Sequence, residues 1–287
     1  GLVSRAGLVP IAPSQDTAGP MTRCVADAAL LLAALAGPDA RDPATSGARE
    51  SVGDAAAARS PGDLGGLRVG VVRTAFALDE AETRAFEEAL DALRRAGATL
   101  VDGVSLPGIG DLVPHEIQVL LHEFKASIDA YLGGLGGGAA VRSLAQLIEF
   151  NQRHAAREMP HFGQDIFLAA IDKGPLTSPE YLEARTACLR LARDEGIDAT
   201  LRAHGCAALV APTIGVAGRI DYARGDEFRG ASSSPAAVAG YPSLAVPAGL
   251  VGGLPFGVLF FAGAFGEATL LRVGAAFERT AGRLPPP

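Results

Sequence analysis

Leu67-Arg68-Val69-Gly70-Val71-Val72, Asp79-Glu80-Ala81-Glu82 and, beyond Gly97, Ala98-Thr99-Leu100-Val101 decide the fold. The first run is short and rich in β-branched residues, the pattern of a buried strand. Asp79 with Glu82 three positions later makes a capping box, and Phe86, Ala89, Leu90 and Leu93 follow at helical spacing. Gly97 closes that helix and a second strand opens at Ala98. Strand, helix and strand within so few residues predict a βαβ unit, and therefore a parallel pair.

Working outward, the same punctuation recurs. Val25, Ala28, Ala29, Leu32 and Leu35 share a helical face that Gly37-Pro38 terminates. A polar connection from 39 to 66 has room for a short helix at Ala55–Arg59. Pro114 is expected at the first position of a helix that buries Ile117, Leu120, Leu121, Phe124 and Ile128. Gly133 to Gly138 reads as a flexible turn, and Ser143 with Gln146 as another capping box. Ser178-Pro179 opens a long helix with an interruption expected at Gly196, and Ala207–Ala211 is a strand stopped by Pro212. A final helix carries Leu270, Leu271 and Phe277.

From Gly230 to Gly266 the chain has no Asp, Glu, Lys or Arg, yet Pro235, Pro242, Pro247 and Pro255 interrupt it. A membrane-spanning helix does not survive such breaks, whereas two buried strands around Gly252-Gly253 do. Ser232-Ser233-Ser234-Pro235 reads as a helix start with Ser234 at the cap. The reading is α/β, one domain, with no membrane span.

Composition excludes other classes. With 25 basic against 32 acidic residues the chain is net negative at −7, so no basic field is available to neutralise phosphates and a nucleic-acid partner is not expected. Cys24, Cys188 and Cys206 form no C-x-x-C pair, so neither a zinc ribbon nor a disulfide framework is indicated. His115-Glu116 lacks a histidine at 119 and is no zinc motif; His115 and His122 are expected at the surface. No G-x-S-x-G elbow is present. No zinc site is therefore indicated.

In order along the chain, Gly1-Leu-Val-Ser-Arg-Ala-Gly through Pro13-Ser-Gln-Asp-Thr-Ala-Gly-Pro20, Tyr181-Leu-Glu-Ala-Arg185, Leu209-Val-Ala-Pro-Thr213, Ser233-Ser-Pro-Ala-Ala-Val-Ala-Gly-Tyr-Pro242 and Gly253-Leu-Pro-Phe-Gly257 resemble the amidase signature family. Phe162-Gly-Gln-Asp165 resembles its bacterial peptide-amidase-like branch. The resemblance implies a mixed β-sheet flanked by helices and hydrolysis of a carboxamide to a carboxylate and ammonia. It implies a Ser–cis-Ser–Lys relay, in which a neutral lysine takes the nucleophile's proton through a bridging serine, without metal or cofactor.

In the family that lysine and the serine loop precede the segment matched by Gly1. The expectation is thus a C-terminal portion, residues 1–287, of a single amidase domain whose fold is incomplete because the N-terminal part is absent, and which is inactive alone. Lys125 and Lys173, the only lysines, are expected to be surface residues, and no catalytic residue is assigned. By position the resemblance makes Gln164, Asp226 and Ser233 substrate-binding residues, for a small-molecule or peptide amide, in a cytoplasmic protein. The other readings are a shortened non-catalytic binding or partner protein and a fragment of the A-type subunit of a tRNA-dependent amidotransferase.

Overall fold

Five strands form one mixed sheet in the order β2-β1-β3-β5-β4. They are β1 (Arg68–Val72), β2 (Thr99–Val104), β3 (Ala208–Pro212), β4 (Ser243–Val251) and β5 (Leu254–Phe261). The computed structural model describes residues 1–48, 62–73, 77–225, 229–282 and 284. The helix expected at Ala55–Arg59 lies outside them.

The predicted βαβ unit is present. β1 runs parallel to β2, with Arg68 opposite Thr99, and parallel to β3, with Gly70 opposite Leu209. β5 turns antiparallel to β3, and β4 pairs with β5 as the hairpin expected at Gly252-Gly253. The charge-free stretch is therefore mostly sheet. No helix among the described residues is long and apolar enough to cross a membrane.

Strand alternation divides the core. Val69, Val71, Val210, Val258 and Phe260 face one layer, made by α1 (Val25–Leu35), α2 (Glu80–Arg95) and the last helix, Glu267–Ala281. Leu209, Ala211, Leu259 and Phe261 face the opposite layer, which contains α3 (Ile109–Gly134). The far half of α3 leaves the sheet and packs in a satellite cluster with α4 (Leu144–Arg153) and, beyond the short α5 (Ala155–Glu158), α6 (Asp165–Ile171).

The opposite layer is completed by α7 (Pro179–Leu189), α8 (Asp198–His204) and α9 (Ser233–Ala239); Glu267–Ala281 is α10. At the start of α2 the capping box is complete: Glu82 N–H donates to Asp79 Oδ1 and Asp79 N–H to Glu82 Oε2, both at 2.8 Å. Its end is a Schellman motif, with Gly97 N–H on the Arg94 carbonyl and Ala98 N–H on that of Leu93.

Gly97 has φ +94°, and a Cβ there would lie 1.9 Å from Asp63 Oδ1. Gly97→Ala is therefore expected to cost about 1–2 kcal/mol through the backbone alone, and more because Asp63 must move. A urea midpoint lowered without a change of slope checks this.

Four local readings are corrected. α3 begins at Ile109 behind Gly108, so Pro114 lies inside it, and Ile117 is exposed. Burial of Leu106 and Leu112 holds that first turn on the sheet, which outweighs the bond Pro114 cannot donate. Gly196 does not interrupt its helix: α7 continues through a wide π segment, Arg190–Ile197, into α8. The Leu191 carbonyl leans to where a Gly196 Cβ would stand, 2.3 Å away.

At Ser143 the box is half made. Its hydroxyl accepts from Gln146 N–H, but the Gln146 side chain accepts from Arg142 N–H instead. Finally, the cap of α9 is Ser232, not Ser234, and Pro235 occupies the third helical position. Ser232 is held back because its Oγ and N–H both donate to the Thr213 carbonyl, each at 3.1 Å.

Candidate functional site

The helical pair α3 and α7 brings a polar seam together above the sheet. Glu116 and Glu123, seven residues apart, share a face of α3, while Tyr181, Arg185 and Cys188 repeat at helical spacing along α7. Glu123 is only 3% exposed. Its Oε1 accepts from the Tyr181 hydroxyl and its Oε2 from Ser14 N–H, both at 2.8 Å. A buried carboxylate thus fixes both a helix and the loop that precedes α1.

That loop is held by its own acid as well. The Asp16 carboxylate accepts from Ile11 N–H and Ala12 N–H at 3.0 and 3.1 Å and so fixes the turn.

The electrostatics follow from burial. Tyr181 is pushed up to about 12 by desolvation and by the hydrogen bond it donates to Glu123. Cys188 is pushed up to about 11, chiefly by burial and then by the Glu116 charge, with Arg185 opposing. Burial also raises the Glu116 carboxyl, against the hydrogen bond from Ser234. Cys188 is thus a thiol at neutral pH, not a nucleophile. A thiol reagent at pH 7 is expected to leave Cys188 unmodified in the folded protein, which mass mapping of the labelled peptides checks.

Three residues expected at the surface are not exposed. His122 is wholly buried: Nδ1–H donates to the Gln118 carbonyl at 2.8 Å, and Nε2 lies 3.6 Å from Glu180 Oε2 without a hydrogen bond. Lys125 and Lys173 are half-buried and engaged. Lys125 Nζ donates to the Lys173 carbonyl, and Lys173 Nζ donates to Gln118 Oε1 at 2.7 Å and Glu180 Oε1 at 3.1 Å. Carbonyl and carboxylate partners offset the partial burial of their charge.

The sequence-expected binding residues are separated. Gln164 precedes α6, half-buried. Its Oε1 accepts from Asn151 Nδ2 at 3.1 Å and its Nε2 donates to the Ile148 carbonyl at 3.3 Å, tying α4 to α6. Ser233 opens α9 with its side chain exposed. No hydrogen bond joins these two among the described residues, and Asp226 lies outside those residues. What does join their neighbourhoods is a stack of His161 on Tyr222, with centroids 4.2 Å apart. It sets the exposed Phe162 beside the segment that follows β3.

Sequence reasoning missed Glu123, Ser14 and Tyr181 as a unit. A charged residue on the apolar side of α3 was the available signal, but its partners lie 109 and 58 residues away.

Residues 1–271 match the family model described as Amidase. The chain belongs to the amidase family. Among solved amidase structures it resembles peptide amidase from Stenotrophomonas maltophilia, at 45% identity and TM-score 0.90, covering 100% of this chain and 58% of that one. A peptide amidase in complex with the competitive inhibitor chymostatin gives 46% and 0.91, again over 100% and 58%. Among curated relatives a probable amidase of Arabidopsis thaliana is 34% identical, over 100% of this chain and 52% of its own length. The A-type subunit of glutamyl-tRNA(Gln) amidotransferase from Rubrobacter xylanophilus is also 34% identical, over 98% and 59%. This amidase-family chain therefore spans little more than half the length of the relatives it matches. The mixed sheet and its flanking helices are the amidase-signature architecture that the sequence resemblance implies.

Proposed function

We propose that these residues form the sheet and one cleft wall of an amide hydrolase that converts small carboxamides, C-terminal peptide amides among them, to the carboxylate and ammonia. The observation that carries this reading is the likeness to peptide amidase, 46% identical with TM-score 0.91 over the whole chain. The amidotransferase reading has less support, since the corresponding A-type subunit from Thermotoga maritima superposes with TM-score 0.64 at 25% identity.

In this reading the Ser–cis-Ser–Lys relay is supplied by a part of the protein outside these residues. Both lysines are already committed, to a backbone carbonyl and to Gln118 and Glu180, and neither has a serine partner among the described residues. The chain supplies the wall. Ser233 offers an exposed hydroxyl at the cleft lip, and Asp226 meets a charged or polar end of the substrate. Gln164 contributes by holding α6 in place and, once turned from Asn151, by meeting a substrate amide. Free Cys24, Cys188 and Cys206 suit a reducing compartment such as the cytoplasm.

The test is a chimera in which this chain replaces the matching portion of the Stenotrophomonas peptide amidase. We expect ammonia release from a peptide amide by the chimera and none by the 287 residues alone. A soluble, folded chimera inert across a broad amide panel would favour a non-catalytic partner protein instead.

A further inference from the structure

Three side-chain donors, two on the loop that Glu123 holds and one on α7, are shut off from solvent and have no partner: Ser14 Oγ, Gln15 Nε2 and Arg185 Nη1. Ser14 is bound to Glu123 through its own N–H, so its hydroxyl and the adjoining Gln15 amide are presented by a fixed loop. Arg185 stands one helical turn beyond Tyr181, close enough for its charge to act on both the Tyr181 hydroxyl and the Cys188 thiol. A buried donor left unmade costs free energy, and packing alone does not select for it. Such groups gain their bonds when an acceptor arrives.

We propose that Ser14, Gln15 and Arg185 form a subsite for a neutral carbonyl oxygen of the ligand, an amide rather than a carboxylate. The choice of a neutral acceptor follows from charge. Arg185 is the cation of the seam, but Glu116 and Glu123 act on the same seam from α3, and both Glu123 oxygens already accept, from Ser14 N–H and from the Tyr181 hydroxyl. An incoming carboxylate meets repulsion that an amide oxygen does not. The subsite thus favours holding an amide and letting go of an acid, a preference that rests on the hydrolase reading for its use but not for its existence.

The experiment is saturation-transfer NMR on the 287-residue protein with two probes, N-acetylphenylalanine amide and N-acetylphenylalanine. We expect the amide to bind at least about tenfold more tightly than the acid. Gln15→Leu and Arg185→Met are each expected to weaken amide binding about tenfold, the scale of a lost hydrogen bond to a ligand. Neither should lower the urea midpoint, because each removes a donor that had no partner; a purely structural role would lower it. If Arg185→Met does not fold, Gln15→Leu and Ser14→Ala carry the test.

Absence of amide binding by the unaltered chain, equal binding of amide and acid, or unchanged affinity in the variants overturns the proposal. An active chimera whose KM ignores Gln15→Leu would sink the subsite and leave the hydrolase reading standing. Amide binding that depends on these residues, beside an inert chimera, would do the reverse.

Discussion

Arg229→Met is expected to cost about 3–5 kcal/mol of unfolding free energy, because it strands a buried carboxylate. Glu82 has no solvent exposure. Its Oε1 accepts from Val216 N–H at 2.8 Å, and its Oε2 accepts from Asp79 N–H and from Arg229 Nη2. Arg229 also donates through Nε and Nη2 to the Ala77 carbonyl, while Ala77 N–H returns a bond to the Arg229 carbonyl. One ion pair therefore joins the start of α2 to the segments on either side of residue 220.

Removing the cation leaves the buried Glu82 carboxyl with two neutral donors, which do not compensate its lost hydration. The control is Arg224→Met. Arg224 is 89% exposed and 3.4 Å from Asp221, so its loss is expected to change stability by less than about 1 kcal/mol. Urea midpoints compare the two. Equal midpoints for both variants would show that the Glu82 pair is not the clamp its burial implies.

Phe260→Ala is expected to cost a similar amount, about 3–5 kcal/mol, by a different route. Phe260 is fully buried on β5, the strand between β3 and β4, and meets Phe277 of α10 edge-on with centroids 5.6 Å apart. It faces Val210 across one ladder and Leu244 across the other. Truncation empties a site enclosed by strands on both sides and a helix above, so little can collapse inward. Phe162→Ala is the matched control: at 78% exposure its ring has little burial to lose. Denaturation of the pair should separate them by several kcal/mol, and a small Phe260 effect would mean that the α10 layer repacks freely.

These two cases mark what was legible in the chain. The sheet was legible because β1, β3 and β5 are short, largely apolar runs, with punctuation at Gly97 before β2, Pro212 at the end of β3 and Gly252-Gly253 between β4 and β5. The capping box of α2 was legible because donor and acceptor lie within one turn. Where the reading failed, a tertiary partner had outweighed a local preference: Leu106 and Leu112 fix the start of α3 before Pro114, and Thr213 holds Ser232 as the cap of α9.

The candidate site shows the same division. Gln164 and Ser233 both lie at helix starts, but nothing local announced that the Gln164 amide is already bonded to Asn151 and Ile148. Sequence by itself determined the α/β class, the parallel β1–β2 pair, the β4–β5 hairpin and the family. Tertiary structure alone decided that Glu123, Ser14, Tyr181 and Arg185 make one seam, that His122 is interior, and that Glu82 is answered by Arg229 147 residues away. The physical reason is range. Strand and helix periodicities are set by neighbours a few residues apart, whereas a buried charge is tolerable only through partners that folding delivers from elsewhere in the chain.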